Sequence, residues 1–170
     1  MRRLIGTMTA TAAVALAFAA LAVHAQFPLT AAQDHSAAKS NAVEYLFPEQ
    51  VTVPAGKPSA VEMHFRIARG LHINSHTPKD TYLIPTVLSI PAASGVRLES
   101  ATYPPGVDFT LPIDPKTKLS VYTGEFTIFT RIVAERGNHL VEAKLRYQAC
   151  DNNACMPPKT ITVPIDVIGK

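Results

Sequence analysis

The residues best equipped for chemistry are Cys150 and Cys155, the only two cysteines in a chain of 170 residues. They stand in the stretch Leu145-Arg146-Tyr147-Gln148-Ala149-Cys150-Asp151-Asn152-Asn153-Ala154-Cys155-Met156-Pro157-Pro158. Asn tolerates the positive φ of a two-residue hairpin loop, so Asn152 and Asn153 predict a turn. Asp151 then pairs with Ala154, and Cys150 falls opposite Cys155. Cα atoms at such a position lie about 4.5–5.5 Å apart, within the range a disulfide tolerates. The two thiols can therefore bond and separate without refolding the chain.

Three uses of such a pair differ in what they need. As a staple it is weak, because closing a loop of about six residues gives about 2 kcal/mol, against about 5 for a loop of about 100. A short bridge between neighbouring strands is also of the strained or exposed kind that reduces readily. Zinc needs more cysteine or histidine than this spacing offers. A redox-active pair is the favoured reading, with a structural hairpin bridge as its alternative.

Other constellations carry less. His72 and His76 are four residues apart, but residue 73 is Ile and the acid of a metalloprotease helix is absent. On an extended strand the two would sit about 13 Å apart, too far to share a metal. No His follows Cys155, which argues against blue-copper ligation. No nucleophile motif supports Ser/His/Asp catalysis. No metal or cofactor site is expected. Asp151, Glu125 and Glu142 read as solvated charges, and Tyr122 and Tyr147 as packing residues. No basic group flanks the cysteines in sequence to favour a thiolate.

The elements that must hold the pair are strands. Val61, Met63, Phe65 and Ile67 alternate with Glu62, His64 and Arg66, the period of a half-buried strand. Gly70 ends that run, and Leu71 and Ile73 begin another. Short strands follow at Thr86–Ile90 and Val96–Glu99. Alternation returns in Phe126, Ile128, Thr130 and Ile132, in Val141, Ala143, Leu145 and Tyr147, and in Ile161, Val163, Ile165 and Val167. Many short strands with Pro- and Gly-marked turns predict an all-β, antiparallel two-sheet sandwich. Cys150 shares the phase of Lys144, Arg146 and Gln148, which predicts a partly accessible thiol. The hairpin count puts Cys155 on the same face. Counting back from Ile161 puts it on the core face instead, so a break is expected at Pro157-Pro158. Between Tyr103 and Tyr122 the prolines at 104, 105, 112 and 115 predict a long irregular loop. Its apolar Phe109, Leu111 and Ile113 are unusual on a loop unless they cover something.

Tyr147-Gln148-Ala149-Cys150 with Cys155-Met156-Pro157-Pro158-Lys159-Thr160 resembles the cysteine hairpin of the N-terminal periplasmic domain of the DsbD thiol:disulfide interchange protein. Leu71-His72-Ile73-Asn74-Ser75-His76 and Tyr82-Leu83-Ile84-Pro85-Thr86 resemble that family too. The likeness spans about residues 43–168, with one residue fewer between the cysteines than in the best-known members. It implies an immunoglobulin-like sandwich and a catalytic Cys150/Cys155 pair, with Cys155 facing the partner. It also implies an aromatic cap over the pair, for which Phe109 is the candidate, with Leu111 and Ile113 beside it. Family members are fused to a membrane electron-conducting domain and a thioredoxin-like domain. Neither is found in this chain, so a separate membrane protein is expected as a source of electrons.

Residues 1–25 read as a signal peptide: Arg2 and Arg3, an apolar run from Leu4 to Ala22, and Val23-His24-Ala25 before a cleavage point at Gln26. Export to the periplasm follows, where disulfides persist. Residues 26–42 read as a flexible leader and 43–170 as the interchange domain. Without Arg2 and Arg3, 14 basic residues face 13 acidic ones, which does not suggest nucleic acid. The function expected is an exported electron relay, a protein-disulfide reductase or interchange component acting on thioredoxin-fold periplasmic proteins through mixed disulfides. A non-enzymatic immunoglobulin-like binding module, its loop stiffened by a structural bridge, is the alternative.

Overall fold

Side-chain alternation decides which face of each long strand is buried. The computed structural model describes residues 41–46, 50–112 and 114–170. In chain order the strands are β1 (Val43–Tyr45), β2 (Gln50–Val53), β3 (Ser59–Ile67), β4 (His72–Asn74), β5 (Val87–Ser89) and β6 (Val96–Thr102). They continue with β7 (Val107–Leu111), β8 (Asp114–Tyr122), β9 (Glu125–Ala134), β10 (Gly137–Tyr147), β11 (Ala149–Cys150) and β12 (Lys159–Gly169). One 3-10 turn, Ala92–Ser94, is the only helical element among the described residues.

Two four-stranded sheets, ordered β1-β3-β9-β6 and β2-β12-β10-β5, form an immunoglobulin-like sandwich. The alternating residues of β3, β9, β10 and β12 supply its core, with Met63, Phe65, Ile128, Ile132, Val141, Leu145 and Val163 all buried. Thr130, in the inward phase of β9, is 1% exposed, and its hydroxyl donates to the Val61 carbonyl at 2.8 Å. Pairing is antiparallel except that β2 runs parallel to β12. Neither β1 nor β2 was legible in the sequence, since three or four residues are too few to show a period. β6 runs past Glu99 to Thr102 by way of a bulge between Leu98 and Ser100. Ala42, assigned to the leader, is buried, and its carbonyl accepts from the Ala68 N–H.

A third sheet, ordered β11-β4-β8-β7, carries the cysteines. Its β7–β8 hairpin corrects the expectation of an irregular loop between Tyr103 and Tyr122: Val107 pairs with Val121, Asp108 with Ser120, Phe109 with Leu119 and Thr110 with Lys118. The prolines are tolerated because they sit at the ends. Pro104 and Pro105 precede β7, Pro112 lies in the turn, and Pro115 falls where the register has already shifted. At the hairpin base, Gly106 packs so closely on Ser120 of β8 and on Ser75, just past β4, that an added Cβ would come 2.7 Å from Ser75 Cβ.

Candidate functional site

Tyr147 ends β10, Gln148 interrupts the strand, and the chain then crosses from the β2-β12-β10-β5 sheet to pair with β4 as β11. Cys150 and Cys155 are disulfide-bonded and face each other as an isolated antiparallel bridge with Cα atoms 3.9 Å apart. The Met156 N–H donates to the Ala149 carbonyl at 2.8 Å, and the Asp151 N–H to the Ala154 carbonyl at 3.0 Å. The hydrogen bonds thus flank the cysteines, making them a non-hydrogen-bonded pair, the type with the closer approach. The separation is shorter even than the about 4.5 Å usual for that type.

Asp151 is a solvated charge, as expected from sequence, and it also shapes the turn. Its Oδ1 accepts from the N–H groups of Asn153, at 2.7 Å, and Ala154, at 2.8 Å. These two bonds hold its carboxyl below the usual carboxylate range, and His72 adds a smaller pull in the same direction. The turn is therefore closed by a side chain, an arrangement that Asp favours.

The cysteines differ in burial. Cys150 is 1% exposed, whereas Cys155 is exposed. The expectation of a partly accessible Cys150 is corrected here. Strand phase does not survive the interruption at Gln148, and both residues of β11 are buried. The break expected at Pro157-Pro158 is present: β12 begins at Lys159, so the alternation of Ile161 and Val163 has no bearing on Cys155.

The partner strand explains the upstream motif. His72 of β4 lies directly opposite Cys150, and Ile73 opposite Ala149. Gln148 ties the junction together, accepting at Oε1 from Asn74 Nδ2 (3.2 Å) and donating from Nε2 to the Met156 carbonyl (3.2 Å). Asn74 Nδ2 also donates to the Ile84 carbonyl, and the Thr86 hydroxyl donates to the Asn74 carbonyl. Residues near 72, 84, 148 and 156 thus converge on one network. Gln148, Asn74 and Thr86 were not named as site residues from sequence; their only signal was membership of the motifs that resemble the family.

His72 is 2% exposed, and its Nε2 is buried with no hydrogen-bond partner. Burial lowers its pKa, and Asp151 partly opposes that. The His72 ring packs on Phe109 with centroids 4.3 Å apart. His76 is occupied elsewhere, stacked on Tyr103 at 3.8 Å with Nδ1 against the Thr86 carbonyl. Among the described residues no three His, Cys, Asp or Glu side chains gather as a metal-holding group. Tyr122 and Tyr147 are buried, and the Tyr122 hydroxyl bridges the His76 N–H and the Pro104 carbonyl.

Phe109 and His72 stand two strands apart, and the pairing of Phe109 with Leu119 and of Ile73 with Tyr122 staggers them along the sheet. Ring contact therefore requires the β7–β8 hairpin to curl back over the face that carries His72. Leu111 is half-buried beside the turn. Ile113 lies outside the described residues.

Removal of the bridge bears little on the core. Each inward side chain of the sandwich contributes about 1.5–3 kcal/mol, so one or two of them match the roughly 2 kcal/mol of a short loop closure. The Cys150→Ala/Cys155→Ala protein is expected to unfold in one cooperative thermal transition, with Tm lowered by about 10 °C or less. A chain already unfolded at 25 °C would show that the bridge is a staple.

The family model of the DsbD thiol:disulfide interchange protein, N-terminal domain, matches residues 42–166. Among solved structures, the reduced N-terminal domain of DsbD from Neisseria meningitidis aligns with a TM-score of 0.46 and 20% identity, over 68% of this chain and 82% of that one. A structure of the complex between the DsbD and PilB N-terminal domains of the same organism aligns with a TM-score of 0.43 and 19% identity, over 65% and 77%. No curated protein matches. With its cysteine hairpin inside a match that spans most of the chain, the protein belongs to the family of DsbD N-terminal domains.

Proposed function

We propose that the protein is an exported thiol–disulfide exchange domain that carries two electrons on Cys150 and Cys155 between thioredoxin-fold partners in the periplasm. The observation that carries this reading is the unequal burial of the two cysteines, 1% for Cys150 against an exposed Cys155. A partner thiolate attacks the sulfur of Cys155, the disulfide breaks, and Cys150 departs with the electron pair and takes up a proton. The partner's second thiol, as its thiolate, then attacks the partner's own sulfur in the mixed disulfide. That step releases Cys155 as a thiolate and leaves the partner oxidised. Run in reverse, the sequence delivers the electrons to an acceptor. Phe109 serves as the cap: its ring lies on His72, the cross-strand neighbour of Cys150.

The test is the midpoint potential of the isolated domain. A working carrier is expected above about −300 mV, in the range from thioredoxin at about −270 mV upward. A potential below about −300 mV would favour the binding module with a structural bridge.

A further inference from the structure

We infer that His72 is the general base for Cys150, taking the thiol proton when Cys150 resolves a mixed disulfide held on Cys155. The inference rests on the exchange reading above and adds a catalytic group to it. Three observations converge. His72 and Cys150 are directly opposed across β4 and β11, a position where side chains share a face with Cβ atoms about 4.5–5.5 Å apart. The Nε2 of a 98%-buried ring has no hydrogen-bond partner while the bridge is closed, although a buried polar atom left unpaired costs about 1–3 kcal/mol. Phe109 lies against the same ring and holds it in place.

The need for a base follows from burial. Cys150 is 1% exposed, and an isolated charge in so dry a position is costly. The Cys150 thiol therefore requires a proton acceptor at the moment it attacks. In the tautomer the reaction uses, His72 carries its proton on Nδ1 and offers the Nε2 lone pair. Nε2 takes the proton of the Cys150 thiol, and the Cys150 sulfur attacks the Cys155 sulfur. The Cys150–Cys155 bond forms, the bond from Cys155 to the partner breaks, and the electron pair leaves with the partner's thiolate. The imidazolium then returns its proton to that thiolate or to water.

Two charged sets bear on the ring. Asp151, on the cysteine hairpin, acts on His72 through space and partly offsets the effect of burial. Asp108, on the β7 strand that carries Phe109, is ion-paired with Lys79 and Lys118 and sits in the opposite strand phase to Phe109. Burial lowers the His72 pKa, so the ring is neutral and able to accept a proton throughout the neutral range.

The experiment uses the reduced protein and 5,5′-dithiobis(2-nitrobenzoate). Cys155 releases a first thionitrobenzoate on forming the mixed disulfide, and resolution by Cys150 releases the second. The second phase in the wild-type protein is expected to fall at acid pH with a break below about 6.5, and to be flat from there to about 8. His72→Phe, which keeps an apolar ring against Phe109, and His72→Gln are expected to slow the second phase about a hundredfold at pH 7. Both are expected to remove the acid break and to leave the first phase unchanged. A wild-type second phase that rises tenfold per pH unit up to about 8.5, as for an unassisted thiol, would overturn the inference without any variant. An unchanged second phase in a folded variant would overturn it too. Release of only one thionitrobenzoate by the wild-type protein would instead overturn the exchange reading itself.

Discussion

A Cys150→Ala protein, exported to the periplasm, is expected to accumulate a reductant-sensitive covalent adduct with a thioredoxin-fold partner, while Cys155→Ala accumulates far less. Cys155 is the exposed member of the pair and Cys150 the buried one. With Cys150 removed, Cys155 can still attack or be attacked, but no neighbouring thiol remains to resolve the bond from this side. With Cys155 removed, the remaining sulfur lies beneath the hairpin surface, where a partner of protein size has no approach. Non-reducing gels of periplasmic extract, probed for the domain, separate the outcomes. Equal trapping by both variants would contradict the assignment of Cys155 as the partner-facing sulfur. No adduct from either variant, with both exported and folded, would shift the reading to a binding module.

Phe109→Ala is expected to raise the alkylation rate of Cys150 in the reduced protein by about tenfold. The ring packs on His72 at 4.3 Å. An aromatic pair is worth about 0.5–1.5 kcal/mol beyond the area it buries, and each 1.4 kcal/mol is a factor of ten in an equilibrium. Loss of the ring favours the lifted hairpin over the closed one and lets reagent reach β11. Leu111→Ala should have a smaller effect, because Leu111 pairs beside the turn, away from His72. Iodoacetamide kinetics on Cys155→Ala backgrounds isolate the buried thiol. Unchanged rates for Phe109, Leu111 and Ile113 variants alike would show that the hairpin does not cover the pair.

The sequence by itself determined the sandwich and the cysteine pairing. Both depend on short-range rules: a period of two along β3, β9, β10 and β12, and a turn only a few residues long between Cys150 and Cys155. Both rules act through residues close together in the chain, so they can be read without knowing the tertiary contacts. Only the tertiary structure decided which sulfur is exposed. Strand phase predicted an accessible Cys150, but the chain changes sheets at Gln148 and the alternation of β10 ends there. Residues 107–122 mislead from the other side: prolines mark them as a loop, yet those prolines stand at strand ends and in the turn, where a missing N–H costs no ladder bond. His72 was the hardest to see. Seventy-eight positions separate it from Cys150 in sequence, and its standing as a candidate for chemistry comes from the pairing of β4 with β11 and the burial that this pairing imposes.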